Sequence, residues 1–184
     1  MSALPFPPVP GRECGECHAC CEYLNIDTPE LQKPPSVLCP HWAQGCTMYE
    51  SRPSPCRTFF CGWRVMPNLG DNWRPDKSNI FLRLANTNGV PGFDVNLLGN
   101  LSPVMTSELL QTIGDMIGAN FPVYLVIPGP PGHGAAKLLL NNRLRPALAS
   151  RSFGQLVAAF EEARRVAQSF KTEPISTPPK ASAP

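Results

Sequence analysis

The sequence predicts an α+β fold, in which an N-terminal, loop-rich cysteine metal module packs against a small antiparallel sheet with two helices. Two observations support this prediction. All eight cysteines of the 184-residue chain lie between Cys14 and Cys61, in a segment with few large aliphatic residues. Beyond that segment the hydrophobic pattern gives strand, strand, helix, strand, strand, helix, an order typical of helices packed on an antiparallel sheet.

The chain divides into four predicted segments. Residues 1–13 are a flexible lead-in, residues 14–64 form the cysteine-cluster metal-binding module, residues 65–170 form the α+β part, and residues 171–184 are a disordered, proline-rich tail. The chain has 23 prolines, concentrated at both ends and in the cysteine segment. Because proline removes a backbone donor and fixes φ, these segments favour extended and looped backbone over helix.

The first half of the α+β part predicts a hairpin and a helix. Residues 80–85 form a strand, residues 86–89 form a turn, and residues 92–98 alternate as a half-buried strand. Ser102 followed by Pro103 is a good helix start, and apolar residues keep a helical period to Gly118.

The second half predicts two more strands and a second helix. Residues 123–127 and 136–140 are apolar strands, and the turn between them is rich in glycine and proline. Ser152 caps a helix whose apolar residues fall on roughly one face. That face comprises Phe153, Leu156, Val157, Phe160, Val166 and Phe170.

The cysteines are expected to be reduced metal ligands rather than disulfides. The first thirteen residues show no secretory signal, and no apolar run is long enough to cross a membrane, so the chain is expected to be cytoplasmic. Reduced thiols in C-x2-C pairs are typical of metal sites. The predicted ligands are Cys14, Cys17, Cys20, Cys21, Cys39, Cys46, Cys56 and Cys61.

Two conformations of the first cysteine run are open. A helix over residues 14–21 would place Cys14, Cys17 and Cys21 on one face and turn Cys20 away from them. A loop would instead match the first three cysteines of a bacterial ferredoxin motif. Eight thiols exceed one tetrahedral site, so two mononuclear sites and one cluster with spare thiols are both allowed. In either case Cys20 and Cys21 are not expected to share a mononuclear site.

Two runs of the sequence resemble the CxxCxxCC cysteine-cluster family, also called YkgJ-like. Its members are described as zinc- or iron-chelating proteins and include the flagellin lysine N-methylases. The resemblance covers about the first third of the chain and implies a zinc or iron cofactor. The sequence contains no G-x-G-x-x-G motif, which would indicate a methyl-donor fold. The matching positions are Cys14, Cys17, Cys20, Cys21, Cys46, Tyr49, Arg52, Pro53, Cys56, Arg57, Phe59 and Cys61.

Charge and motifs limit the other functions. The formal net charge is +2, which provides no field for binding nucleic acid or a membrane. Arginines bracket the cysteines and are expected to offset thiolate charge, while His18 and His41 are expected to be neighbours of the site. No paired carboxylates or Ser-His-Asp set is present, so no catalytic residue is predicted. The bracketing arginines are Arg12, Arg52, Arg57 and Arg64.

Three functions are therefore compatible with the sequence. The first is a metal-binding protein that holds zinc or iron for structure, chelation or delivery. The second is a redox or catalytic protein built on an iron–sulfur cluster. The third is a zinc-stapled module for interaction with a protein partner, in which the α+β part is the functional surface.

Overall fold

The computed structural model describes residues 7–87 and 89–175, and it confirms the α+β class. The remaining ends of the predicted lead-in and tail, 1–6 and 176–184, lie outside the described residues. The helices are α1 (Ala19–Tyr23), α2 (Ser54–Thr58), α3 (Gly62–Val65), α4 (Pro75–Ser78), α5 (Pro103–Gly118), α6 (Asn141–Ala149) and α7 (Phe153–Gln168), with a short 3₁₀ helix at Asp71–Trp73. The strands are β1 (Ile26–Asp27), β2 (Gln32–Lys33), β3 (Ile80–Thr87), β4 (Val90–Leu97), β5 (Val123–Ile127) and β6 (Ala136–Leu139).

The main sheet is mixed rather than antiparallel. Its order is β3-β4-β5-β6, and the β3–β4 and β5–β6 hairpins are antiparallel. Strands β4 and β5 pair in parallel, with Val95 opposite Leu125. The prediction of a purely antiparallel sheet is therefore wrong at this pair. The reason is α5, which returns the chain to the end of the sheet at which β4 starts, so that β5 runs in the same direction as β4, as in a β-α-β crossover.

The two predicted helices are confirmed as α5 and α7, including their starts. The Ser102 hydroxyl accepts a hydrogen bond from the Met105 amide at 3.2 Å, and the Ser152 hydroxyl accepts one from the Gln155 amide at 3.4 Å. These are N-caps of the type expected from serine. The predicted apolar face of α7 is wrong at both ends, because Phe153 and Phe170 are exposed and Phe170 lies beyond the end of the helix.

Two helices of the α+β part, the one-turn α4 and the longer α6, were not predicted, so the prediction of two helices is wrong in number. Pro146 lies inside α6, and proline normally interrupts a helical pattern. Asn141 fixes its start: the side-chain amide donates to the Phe121 carbonyl and its oxygen accepts from the Val123 amide, both at 2.8 Å. These bonds join α6 to the beginning of β5.

The cysteine-rich segment is joined to the main sheet near its end. Cys61 and Trp63 are buried in the same hydrophobic core as Phe81 of β3. Gly62, between them, lies so close to β3 that a Cβ atom would stand 2.8 Å from side-chain carbons of Leu82. The absence of a side chain at Gly62 therefore allows α3 to pack on β3.

Residues near both ends of the described chain form hydrogen bonds to residues distant in the sequence. The Arg12 guanidinium donates to the Met66 carbonyl at 2.9 Å and also to the carbonyls of Trp63 and Leu69. Residues 173–175 of the predicted tail pair with the glycine-rich turn, where Ile175 donates its amide to the Gly132 carbonyl at 2.8 Å.

None of the helices in the part of the chain that the structure describes has the length and apolar character needed to cross a membrane.

Replacing Gly62 by alanine is expected to lower the free energy of unfolding by about 1–3 kcal/mol, because the new methyl group overpacks the contact with Leu82. Gly154→Ala is the matched control, since no atom lies within 4 Å of a Cβ at that position. Urea denaturation of both variants measures the difference. Equal stability of the two variants would contradict the close packing of α3 on β3.

Candidate metal centre

All eight cysteines line a cavity of about 840 Å³ at the junction of the cysteine-rich segment and the sheet. Cys39 and Cys61 are buried, Cys14 is exposed, and the other five are half-buried. None of the eight forms a disulfide in the structure, which describes all of them. The structure therefore brings together every residue that the sequence predicted as a ligand.

Short local structures place the first four thiols. Gly15 has a φ of +53°, a left-handed conformation that favours glycine, and the Cys17 amide donates to the Cys14 carbonyl at 3.0 Å. This turn presents Cys14 and Cys17 to the cavity. Helix α1 then begins at Ala19 and carries Cys20 and Cys21 as consecutive helical residues.

The other four thiols come from four separate places. The Cys39 amide donates to the Cys21 carbonyl at 3.0 Å, which ties a distant loop to α1. Cys46 is held by a bridge to Trp42, Cys56 lies in α2, and Cys61 immediately precedes α3. The long loop between α1 and α2 is therefore folded back over the cavity.

The first thiol group consists of Cys14, Cys17, Cys20 and Cys61. Cys17 and Cys20 pack against the main core, in which Cys61 is buried. Burial raises the pKa of Cys61 to about 11, and the charges of Cys14 and Cys17 add to that effect. The four thiols are thus electrostatic neighbours on the side of the cavity nearest the sheet.

The second thiol group consists of Cys21, Cys39, Cys46 and Cys56. Cys39 is buried in a separate, small core, and Cys21 and Cys56 pack against it. Burial raises the pKa of Cys56, and the charges of the other three thiols of the group raise it further. The two groups adjoin at Cys20 and Cys21. The charge of Cys21 also raises the pKa of Cys14, in the first group.

This division corrects one of the two sequence-based alternatives. A continuous helix over residues 14–21 is wrong, because helix begins only at Ala19. The associated expectation that Cys14, Cys17 and Cys21 share a face is wrong as well, since Cys21 packs with Cys39 instead. The expectation that Cys20 and Cys21 belong to different sites stays a prediction, and their packing in different cores favours it.

The adjacent thiols at Cys20 and Cys21 are unequal. A hydrogen bond from Cys20 lowers the pKa of Cys21 to about 7, and the positive charge of Lys33 assists this. The same hydrogen bond and burial raise the pKa of Cys20. Of these two thiols, Cys21 is therefore the one that ionises first.

Buried N–H groups without an acceptor surround the thiols. Trp42 Nε1, Trp63 Nε1 and Arg64 Nε are buried and have no hydrogen-bond partner among the described residues, and all three side chains line the cavity. An unsatisfied buried donor is costly, so each needs an acceptor that the free chain lacks. Thiolate sulfur atoms that turn toward a metal ion are acceptors of this kind.

The chemistry of the donors fits a soft metal, although their present placement is not that of a finished site. Among the described residues, no three His, Cys, Asp or Glu side chains stand close enough together to hold an ion. Eight thiols, orphaned N–H donors and a lining of cations nevertheless match what zinc or iron thiolate sites require. The lining cations are Arg12, Lys33, Arg52, Arg57 and Arg64.

One cavity residue was missed by the sequence analysis. Lys33 lines the cavity and is 2% exposed, whereas a single lysine in a polar stretch normally indicates a solvated side chain. No local pattern could have found it, since its burial depends on the fold of the loop. His18 contacts Trp42 and lies 3.3 Å from the Glu22 carboxylate, which agrees with the prediction that it is a neighbour of the site.

The chain matches no protein-family model, no curated protein and no solved structure.

Alkylation of the metal-free protein is expected to modify Cys21 before Cys20, because the thiolate is the nucleophile. The rate at Cys21 should reach half its maximum near the pKa of about 7 and fall at lower pH. Cys20→Ala removes the hydrogen bond, so the half-point should move upward. Peptide mapping of iodoacetamide-treated protein across pH values measures both rates. Cys46→Ala is the control, and an unmoved half-point in Cys20→Ala would contradict the hydrogen bond.

Proposed function

We propose that the protein is a metal-binding protein whose two thiol groups each hold one zinc or iron ion. The observation that carries this proposal is the arrangement of all eight cysteines around one cavity, with Cys17, Cys20 and Cys61 in one core and Cys21, Cys39 and Cys56 in another. Four thiolates are the usual ligand number of a closed tetrahedral site for zinc, and iron accepts the same set. The bound metal serves structure, chelation or delivery, and no catalytic residue is assigned.

Charge supports the proposal. A divalent ion with four thiolates carries a formal charge near −2, so two such sites carry about −4. The cavity is lined by five cations and by Glu13, a net charge of the opposite sign and similar size. Nearby cations stabilise anionic sites of this kind. Among the described residues, Glu13 is the only carboxylate that lines the cavity beside these cations.

The packing of the loop between α1 and α2 also supports metal binding. Its small core buries Ile26, Leu31 and Cys39, and little else among the described residues. Metal binding would turn the thiols of each group toward a common centre and bond this loop to the rest of the chain. Its folding free energy would then include the metal–thiolate bonds, which contribute about 10–16 kcal/mol in structural zinc peptides.

The remaining parts of the proposal follow from the thiols. Ligand cysteines must be deprotonated and unoxidised, so we place the protein in a reducing compartment such as the cytoplasm. The resemblance of the cysteine spacing to zinc- or iron-chelating cysteine-cluster proteins agrees with this function.

Anaerobically purified protein is expected to carry about two metal ions per chain by elemental analysis and native mass spectrometry. Cys20→Ser should lose the ion of the first thiol group and expose Cys14, Cys17 and Cys61 to alkylation. Cys21→Ser, the matched variant one residue away, should lose the other ion and expose Cys39, Cys46 and Cys56.

Other outcomes would contradict parts of this account. Apoprotein with four disulfides would overturn metal binding. The same alkylation pattern in both serine variants would overturn the division into two groups. A brown protein that releases inorganic sulfide on acidification would replace separate ions with the iron–sulfur alternative.

A further inference from the structure

Lys33, in β2, is a buried cation. Its side-chain Nζ donates to three backbone carbonyls, those of Glu22 at 2.8 Å, Pro34 at 2.8 Å and Val37 at 2.7 Å. Three acceptors use all the hydrogens of an ammonium group. The positive charge of Lys33 is therefore fixed in position inside the protein, between α1 and the loop that follows β2.

The structure gives this charge no carboxylate partner. No Asp or Glu of the described residues lies within ion-pair distance of Lys33, and the Glu22 carboxylate is directed to His18 instead. Carbonyl groups satisfy the hydrogens but carry no net charge. Burying an unpaired cation is costly, so the fold needs an anion near Lys33.

The second thiol group is a source of negative charge beside Lys33. Lys33 lines the cavity together with Cys21 and Cys39. Burial lowers the pKa of Lys33, and the charges of Cys39 and Cys21, followed by that of Glu22, raise it again. The positive charge of Lys33 in turn lowers the pKa of Cys21.

The first thiol group faces arginines rather than a buried lysine, and one of these arginines, Arg52, also acts on Cys21 and Cys56 of the second group. The positive charges of Arg64, Arg52 and Arg74 lower the pKa of Cys14. The Arg74 guanidinium is already paired with the Asp76 carboxylate at 2.7 Å. Arginines at a partly exposed position are screened by water and salt, whereas a buried ammonium is screened much less. The two groups thus differ in electrostatic support.

We propose that the Lys33 ammonium is the fixed counter-charge of the second thiol group, and that it raises the affinity of this group for a divalent soft metal ion. This inference rests on the proposed function. The negative charge of four thiolates around a divalent ion is stabilised by a cation held beside it in a medium of low dielectric constant. Lys33 acts through the thiols and is a positioning residue rather than a ligand.

The test separates the charge of Lys33 from its hydrogen bonds. Lys33→Gln keeps N–H donors but removes the charge, while Lys33→Arg keeps both. Lys77→Gln is the matched control, since Lys77 is exposed in α4. Zinc affinities of both groups are measured by competition with a chelator, and alkylation mapping assigns each ion to its group.

In Lys33→Gln the zinc affinity of the second thiol group should fall by about tenfold or more, with that of the first group unchanged within about threefold. Lys33→Arg and Lys77→Gln should keep both affinities. Lys33→Met, which is neutral and of similar length, repeats the measurement if the glutamine variant does not fold.

Three results would overturn the inference. Unchanged affinities in the neutral variants would exclude any role for the charge. Equal losses in Lys33→Gln and Lys33→Arg would assign Lys33 a packing role. A wild-type protein that binds zinc in neither group would overturn the proposed function, and this inference with it, whereas the first two results leave the proposed function standing.

Discussion

The loop between α1 and α2 has too little buried apolar surface to hold itself in place. The arrangement of the cavity depends on how this loop is held. Its small core buries Ile26, Leu31 and Cys39. Burial of a large apolar side chain contributes about 1.5–3 kcal/mol, whereas ordering each residue costs about 1–2 kcal/mol. Hydrogen bonds from Lys33 add local order but bury a charge. Under the proposed function, bonds between the thiols and a metal would supply further stabilisation to this loop.

The first thiol group is supported differently, because it is built on the main sheet. Cys61 is buried with Trp63 and Phe81, Gly62 allows close packing on β3, and the Arg12 guanidinium binds the carbonyls that follow α3. One half of the cavity wall therefore belongs to the core of the protein. The other half is a loop to which the Lys33 ammonium is hydrogen-bonded and which, under the proposed function, its metal-bound thiols would hold in place.

The sequence predicted what local patterns encode. Serine caps at Ser102 and Ser152, the β3–β4 hairpin and the clustering of the cysteines all follow from adjacent residues. The parallel pairing of β4 with β5 did not, because strand direction depends on where a crossover helix returns the chain. Helix α6 was hidden by Pro146. The assignment of Cys21 to the second thiol group, and the burial of Lys33, depend on contacts between residues far apart in sequence.

Amide hydrogen exchange of the metal-bound protein, with and without a strong chelator, tests the central claim most directly. We expect the chelator to remove protection across residues 21–56, where the Cys39 amide binds the Cys21 carbonyl, while β3, β4, β5 and α5 keep theirs. Unchanged protection in residues 21–56 would contradict the claim, since the loop would then hold itself without metal. Uniform loss along the whole chain would contradict the independent support of the sheet.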